Sequence, residues 1–268
     1  MSVHIHPTAI IDPNAQLGVD VAVGPYAVVH ADVVIGDRSS IASHAVVLPY
    51  TRMGTDNTIS SHALIGGQPQ DLKFRGEVSW LELGNHNVIR EFATLHRGTE
   101  GGGGITRLGD HNLCMAYTHV AHDCQLGSHI VMSNNATLAG HVSVDDHAIL
   151  GGLSAIHQFV RVGRHAFVGG MTGIAQDVPP WMLVSGARGL IQGPNMVGLR
   201  RFGAGRDLVL AVKDAHRILW RSGLPRLEAL AQIEGKYGEV AEISEFVDFV
   251  RHSERGICAA AKNDEIEA

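Results

Sequence analysis

From residue 5 onward an apolar residue returns at every sixth position: Ile5, Ile11, Leu17, Val23, Val29, Ile35, Ile41, Val47, Met53, Ile59 and Ile65. After two interruptions the same beat runs from Leu108 through Cys114, Val120, Leu126, Met132 and Leu138 to Ile174. A period of six fits neither a 3.6-residue helix nor a simple alternating strand. It is the period of a parallel β-helix, in which each hexad supplies one short strand and one corner. Three hexads close a triangular coil, so residues 18 apart stack at roughly the 4.8 Å spacing of neighbouring strands. The 26 register positions predict eight to ten coils.

Glycine often follows the register residue (Gly18, Gly24, Gly36, Gly54, Gly66). There it is expected to relieve crowding and to permit positive φ at a tight corner. Asp37, Asp56 and Asn57 are expected to serve the corners in the same way. The beat breaks at 67–82, where Asp71 and Glu77 occupy positions that should be apolar, and resumes in phase at Leu83, Ile89 and Leu95. This segment reads as a coil whose corners are replaced by an excursion. A second interruption, 98–107, shifts the phase by one and carries four consecutive glycines. It reads as a flexible external loop.

The pattern stops at Asp177-Val178-Pro179-Pro180, which sets a β-helical unit at 1–180 and a second unit at 181–268. Residues 181–194 read as an irregular connector. Asn195 caps a short helix through Phe202, and a longer helix covers 206–222, with Gly223 past its end. Pro225 starts a third helix marked by Leu227, Leu230 and Ile233, and Ile243, Phe246, Val247 and Val250 mark a fourth before Gly256. The polar tail, KNDEIEA, is expected to be disordered. A helical cap of this kind hides the open edge of the last coil.

Composition narrows the function. Aromatic residues are only 5 % while glycine reaches 32, which suits narrow coils with small corners. The net charge of −6 argues against a generic nucleic-acid partner. No run of 18 apolar residues predicts a membrane span, and the N-terminus has neither a basic region nor an apolar stretch of a secretory leader. Cys114, Cys124 and Cys258 form no C-x-x-C pair, which fits a reducing, cytoplasmic setting.

Candidate chemistry gathers between Thr118 and Phe159. By the 18-residue rule His122 stacks under Gly140 and Gly140 under Gln158, while Asp123 stacks under His141 and His141 under Phe159. The coil above His122 thus offers no side chain, leaving a notch beside the imidazole. A base beside a free backbone N–H is the minimum kit for acyl transfer. Most of the 17 histidines must be corner residues, including His44, His86 and His129. The grouping of His119, His122, His141 and His157 with Asp123 and Gln158 sets His122 apart. Asp71 and Lys73 are either a solvated pair or a substrate clamp. Arg161, Arg164, Arg188, Arg200, Arg201 and Arg206 make a local basic surface on an acidic chain.

The motifs QDLK, HVAHDC, NNATLAGHVSVDD, AIHQF and AQDVPP, in this order, resemble the UDP-N-acetylglucosamine 3-O-acyltransferase family over nearly the whole chain. That resemblance implies a left-handed β-helix and a homotrimer with active sites between subunits. It implies transfer of a 3-hydroxyacyl chain from acyl carrier protein to the sugar 3-hydroxyl, the first step of lipid A synthesis, with no metal or cofactor. It makes His122 the general base, Asp123 its orienting partner and Gly140 the oxyanion donor. It places Gln70, Asp71 and Lys73 near the sugar and the acyl or phosphate region. His119, His141, His157 and Gln158 line the sugar-nucleotide site, with Arg188, Asn195 and Arg201 toward the nucleotide end. Gly170 falls at the position that limits acyl length. Val197 departs from the acidic residue common there. Two other readings stand beside this one: a zinc enzyme of the γ-carbonic anhydrase type using His119, His122 and His141, and a scaffold without catalysis.

Overall fold

The computed structural model describes residues 4–261, and the tail expected to be disordered lies outside them. Each register residue forms a short strand with the residue before it, from His4–Ile5 to Gly173–Ile174, giving 26 such strands among the described residues. They fall into three sheets. Sheet A begins with His4–Ile5, sheet B with Ile10–Ile11 and sheet C with Gln16–Leu17, and the chain visits A, B and C in turn. Ile5 pairs with Val23, Ile11 with Val29 and Leu17 with Ile35, all in parallel, as the stacking rule requires. The interior receives the register residue and also the residue two before it: Val21, Ala27, Val33, Ala45 and Ala63 are essentially sealed from solvent. This second inward position takes small apolar residues or buried polar ones such as Ser39, Thr51, Asn57 and Asn87, so a search for large apolar residues passes over it.

The corners are built differently from expectation. Of the glycines after the register residue, only Gly66 has positive φ, at 82°. Gly18, Gly24, Gly36 and Gly54 are needed for space alone. A Cβ on Gly36 would lie 2.5 Å from the carbonyl carbon of Gly54 in the next coil. The left-handed position is three residues after the register residue and is filled by large side chains, among them Tyr26, His44, His62, Phe92 and Tyr117. Each such residue costs about 1–2 kcal/mol in backbone strain. Ring stacking up the corner offsets it, at about 0.5–1.5 kcal/mol per pair. Tyr26, His44, His62, Phe92 and Tyr117 stack at 5.0–5.1 Å where sheet A turns into sheet B. His86, His111, His129, His147, His165 and Trp181 stack at 4.1–4.9 Å where sheet C turns into sheet A. This is why a chain of this composition carries so many histidines.

At the top of the second column burial favours the neutral imidazoles of His147 and His165. Burial, then His147 and Arg164, push His165 down to about 4, and burial with His129 lowers His147. His96 and His216 are likewise pushed down to about 4, chiefly by burial. Between about pH 6.5 and 4 the unfolded chain therefore binds more protons than the folded one, and stability falls as pH falls through that window. Burial raises the carboxyls of Asp145 and Glu245, which opposes the trend by smaller shifts. We expect Tm to drop steadily as the pH is lowered from 7 to 4.5. Calorimetric scans across that range check this, and a flat Tm would overturn it.

Both interruptions emerge at the corner where sheet B turns into sheet C. Met53 pairs with Leu83 and Ile65 with Leu95, so the first is not a coil of its own. It is an insertion between the strands Leu64–Gly67 and Trp80–Leu83, and its extra length of two hexads preserves the phase. Its Phe74 ring and Tyr50 flank the buried Arg97 guanidinium, at 5.5 and 5.1 Å. The second lies between Thr94–His96 and Ile105–Leu108, one coil further on. The next turn of the same corner is Ala121–Gln125, which contains His122 and Asp123.

Beyond Ile174 the expected irregular connector is an antiparallel hairpin, Met182–Ser185 with Leu190–Pro194, which extends sheet A. Four helices follow: α1, Met196–Phe202; α2, Arg206–Arg221; α3, Arg226–Tyr237; and α4, Ala241–Arg251. Two of the late arginines hold this unit to the coils. Arg161 lies 4.1 Å over the Phe249 ring, and Arg164 pairs with Asp146 and Glu245.

Candidate active site

His122 and Asp123 follow Val120 as the chain leaves sheet B, with Asp123 in the left-handed position, φ 62°. The His122 Nδ1 is 2.8 Å from Asp123 Oδ2. An ionised carboxylate only accepts, so in the neutral ring Nδ1 carries the proton and Nε2 keeps its lone pair. Burial by itself would raise the Asp123 carboxyl. Hydrogen bonds from His122 and Thr99, with His141 nearby, hold it below its ordinary value. Thr99 donates twice, N–H to Oδ1 at 2.7 Å and hydroxyl to Oδ2 at 2.7 Å, and the Asp123 N–H donates to Thr106 Oγ1 at 2.7 Å.

The neighbouring groups stand where an 18-residue stack puts them. His141 Nε2 stands 3.6 Å from Asp123 Oδ2, its ring edge-on to His122 at 5.2 Å and stacked on Phe159 at 4.4 Å. A Cβ on Gly140 would lie 2.5 Å from His122 Cε1 and 2.7 Å from Nε2, so only glycine leaves the ring in place. The Gly140 carbonyl accepts from the Phe159 N–H, while its own N–H makes no hydrogen bond among the described residues. His119 completes one wall, with Nδ1 2.7 Å from Thr94 Oγ1 and its ring 4.8 Å from that of the buried His96. Burial, then the neighbouring imidazoles, lower the pKa values of both. The arrangement supplies a free imidazole nitrogen beside an unpaired backbone donor. The ligand atoms of His122, Asp123 and His141 lie within 4.8 Å of one another. A metal there would have to compete with Thr99 and His122 for a carboxylate that already accepts three hydrogen bonds.

The comparisons with known proteins bear on the whole chain. A family model described as "Udp N-acetylglucosamine O-acyltransferase; Domain 2" matches residues 177–258, and one described as "Bacterial transferase hexapeptide (six repeats)" matches residues 14–49. A Stenotrophomonas maltophilia protein named acyl-[acyl-carrier-protein]–UDP-N-acetylglucosamine O-acyltransferase is 47% identical over 94% of this chain and 96% of its own length. One of the same name from Anaeromyxobacter dehalogenans is 49% identical over 94% and 98%. The chain belongs to this O-acyltransferase family. The structure of the Francisella novicida UDP-N-acetylglucosamine acyltransferase superposes with a TM-score of 0.94 at 35% identity, covering 98% of this chain and 96% of that one. The Moraxella catarrhalis UDP-N-acetylglucosamine O-acyltransferase gives 0.92 at 41%, covering 94% and 98%. The left-handed winding implied by the resemblance is that of these O-acyltransferases.

The remaining candidate residues of this O-acyltransferase lie apart from His122 within one chain. Gln70, Asp71 and Lys73 sit on the first insertion, where the Asp71 carboxylate accepts from the Lys73 N–H at 2.9 Å. His157 and Gln158 are exposed three coils above the second insertion, with His157 Nδ1 3.1 Å from the Gln158 carbonyl. Gly170 is on a different edge, where sheet A turns into sheet B, stacked over Gly152. Arg188 is exposed at the turn of the hairpin. The Asn195 side chain caps α1 through Gly198 N–H and donates to the His165 carbonyl. Arg201 lines a cavity of about 340 Å³ with His147, His165, Asn195, Val197 and Phe202, on the third edge. A larger groove of about 690 Å³ on the outer face of sheet C, by Arg52, Glu82 and Arg107, touches none of these groups. Sequence reasoning missed Thr99, Gly102, Thr106 and His96. A glycine run read as a loose loop concealed the first two.

Proposed function

We propose that this protein transfers a 3-hydroxyacyl chain from acyl carrier protein to the 3-hydroxyl of UDP-N-acetylglucosamine, the step that opens lipid A synthesis. The observation that carries the chemistry is the Thr99–Asp123–His122 chain ending at the Gly140 notch. His122 Nε2 takes the proton of the sugar hydroxyl as its oxygen attacks the thioester carbonyl, forming the C–O bond. The Gly140 N–H holds the oxyanion. Collapse of the tetrahedral intermediate breaks the C–S bond, and the imidazolium returns its proton to the leaving thiolate. A positioned base contributes about 10²–10⁴ in rate, and one oxyanion donor about 10²–10³. Asp71, Lys73 and Gln70 serve the sugar and the acyl or phosphate region. His119, His141, His157 and Gln158 line the sugar-nucleotide site, and Arg188, Asn195 and Arg201 serve the nucleotide end. No metal or cofactor takes part. Mass spectrometry of products from UDP-N-acetylglucosamine and a panel of acyl carrier protein thioesters tests the reading. A sugar nucleotide heavier by one hydroxyacyl group is expected, and no acylated product from any donor would overturn it.

The working form in this reading is a homotrimer acting in the cytoplasm. Gly170, Arg201 and His122 occupy three different edges of one prism, and packing prisms around a three-fold axis brings different edges together. The outward side chains of sheet A from Val88 upward are Leu113, Val131, Ile149, Phe167 and Leu183, an apolar strip left only half-buried by the single chain. Sheet C instead presents Arg52, Glu82, Arg107 and Gln125. Leu72, within the first insertion, is 96% exposed. Apolar surface of this extent marks an association face. Sedimentation is expected to give a trimer at micromolar concentration, and a stable monomer would refute it. The three thiols are free and buried, and among the described residues no helix is long and apolar enough to cross a membrane.

A further inference from the structure

We propose that Thr99 is a positioning residue for the reaction, and that the glycine loop 98–104 is a clamp that holds Asp123 ionised and fixes the tautomer of His122. The inference rests on the reading of His122 as general base.

Thr99 Oγ1 accepts from the Gly102 N–H at 3.2 Å, so its own hydrogen is directed to Asp123 Oδ2 at 2.7 Å. The Thr99 N–H goes to Oδ1 at 2.7 Å. With His122 Nδ1 on Oδ2, the buried carboxylate receives three donors, two of them from one residue a coil below. Removing a carboxylate from water is costly unless its lone pairs are satisfied. Without those donors burial would favour the neutral acid, which could present a proton to His122 Nδ1 and so admit the wrong tautomer. The loop is shaped for this contact. A Cβ on Gly102 would lie 2.0 Å from Asp123 Cγ, so the glycine makes room for the carboxylate. The Gly104 N–H bonds the Thr99 carbonyl at 2.7 Å, closing the turn that aims the threonine. Gly103 and Gly104 have positive φ, which lets the chain make that turn. The loop is thus held by the site rather than loose.

The test is steady-state kinetics on Thr99→Val, Thr99→Ser, His122→Ala and Asp123→Asn, and on Thr99→Val combined with Asp123→Asn, with circular dichroism on each. Thr99→Val keeps the backbone donor and removes the hydroxyl. It is expected to lower kcat by about 10- to 100-fold, the worth of one hydrogen bond to a charged group. KM for UDP-N-acetylglucosamine should stay within threefold, and Thr99→Ser should retain most of the rate. On the Asp123→Asn background the same substitution should change kcat less than threefold, because its effect passes through Asp123. Should Thr99→Val fail to fold, Gly102→Ala replaces it, with the same loss of kcat expected. If His122→Ala loses activity while Thr99→Val runs at the wild-type rate, the clamp is refuted and the base assignment stands. If His122→Ala keeps its activity, the base assignment itself has failed. A Thr99→Val effect that appears in KM, or that is undiminished without Asp123, also refutes the clamp.

Discussion

His122→Ala is expected to lower kcat by about 10²–10⁴, the contribution of a positioned general base, with a much smaller change in KM. The sugar hydroxyl is a poor nucleophile at neutral pH and must lose its proton as it attacks. In this chain the acceptor is Nε2, because Nδ1 is committed to Asp123 at 2.8 Å. The substitution should not disturb the fold. His122 is at the corner and its side chain is outside the column, whereas the core contact is made by Val120. His141→Ala and His157→Ala should lose less, with more of the loss in KM, since neither accepts the hydroxyl proton. Steady-state kinetics with circular dichroism on all three variants decides the matter. If His122→Ala keeps more than about a tenth of wild-type kcat, well above what loss of a base allows, the base is another group.

Gly140→Ala should be nearly as damaging although it adds a single methyl group. That methyl would sit 2.5 Å from His122 Cε1 and 2.7 Å from Nε2, distances no carbon tolerates. The ring must swing away, and it can do so only by loosening its bond to Asp123. A displacement of about 1 Å at a reacting group costs about 10²-fold, so we expect kcat to fall by at least that much. The oxyanion donor is a backbone N–H and survives the substitution, so the loss reports the base and its alignment. The fold is expected to hold, because Gly140 does not have a positive φ and the crowded group is the corner ring of His122 rather than the core. A Gly140→Ala enzyme within threefold of wild-type kcat and with a native melting curve would show that the notch is not where the hydroxyl is activated.

The column itself was readable because one physical constraint repeats. Each coil must bury an apolar residue on each of three faces, and that requirement writes a six-residue beat that no other fold imposes. The pairing of His122 with Gly140, and of Asp123 with His141, followed from counting along that beat. What counting could not supply was any contact between non-repeating segments. Thr99 lies in an insertion whose length is set by nothing periodic, so its hydrogen bonds to Asp123 are invisible to the 18-residue rule. The first insertion reads as a coil for a related reason. Its extra length equals two hexads, so Leu83 returns in phase although the segment is an insertion. The corner glycines show a third limit. Their presence was legible, but the left-handed conformation belongs to Tyr26, His44 and their successors, whose ring stacking is a property of neighbouring coils rather than of any one hexad.

The two ends of the column are unlike. At the upper end the chain closes over the last coil with the fully buried Trp181 and the four helices, whereas at the lower end Ile5 and Ile10 are 46% and 64% exposed. In a stack where each coil touches only the coils directly above and below, free energy is close to a sum of nearest-neighbour steps. Loss of structure in such a stack starts where a step is missing and moves inward one coil at a time. Among the described residues the least covered coil is that of Ile5 and Ile10, and several coils separate it from Asp123. The reactive corner therefore lies in the last part of the stack that fraying reaches, and the first coils can open and close as a sacrificial margin without changing the geometry around His122.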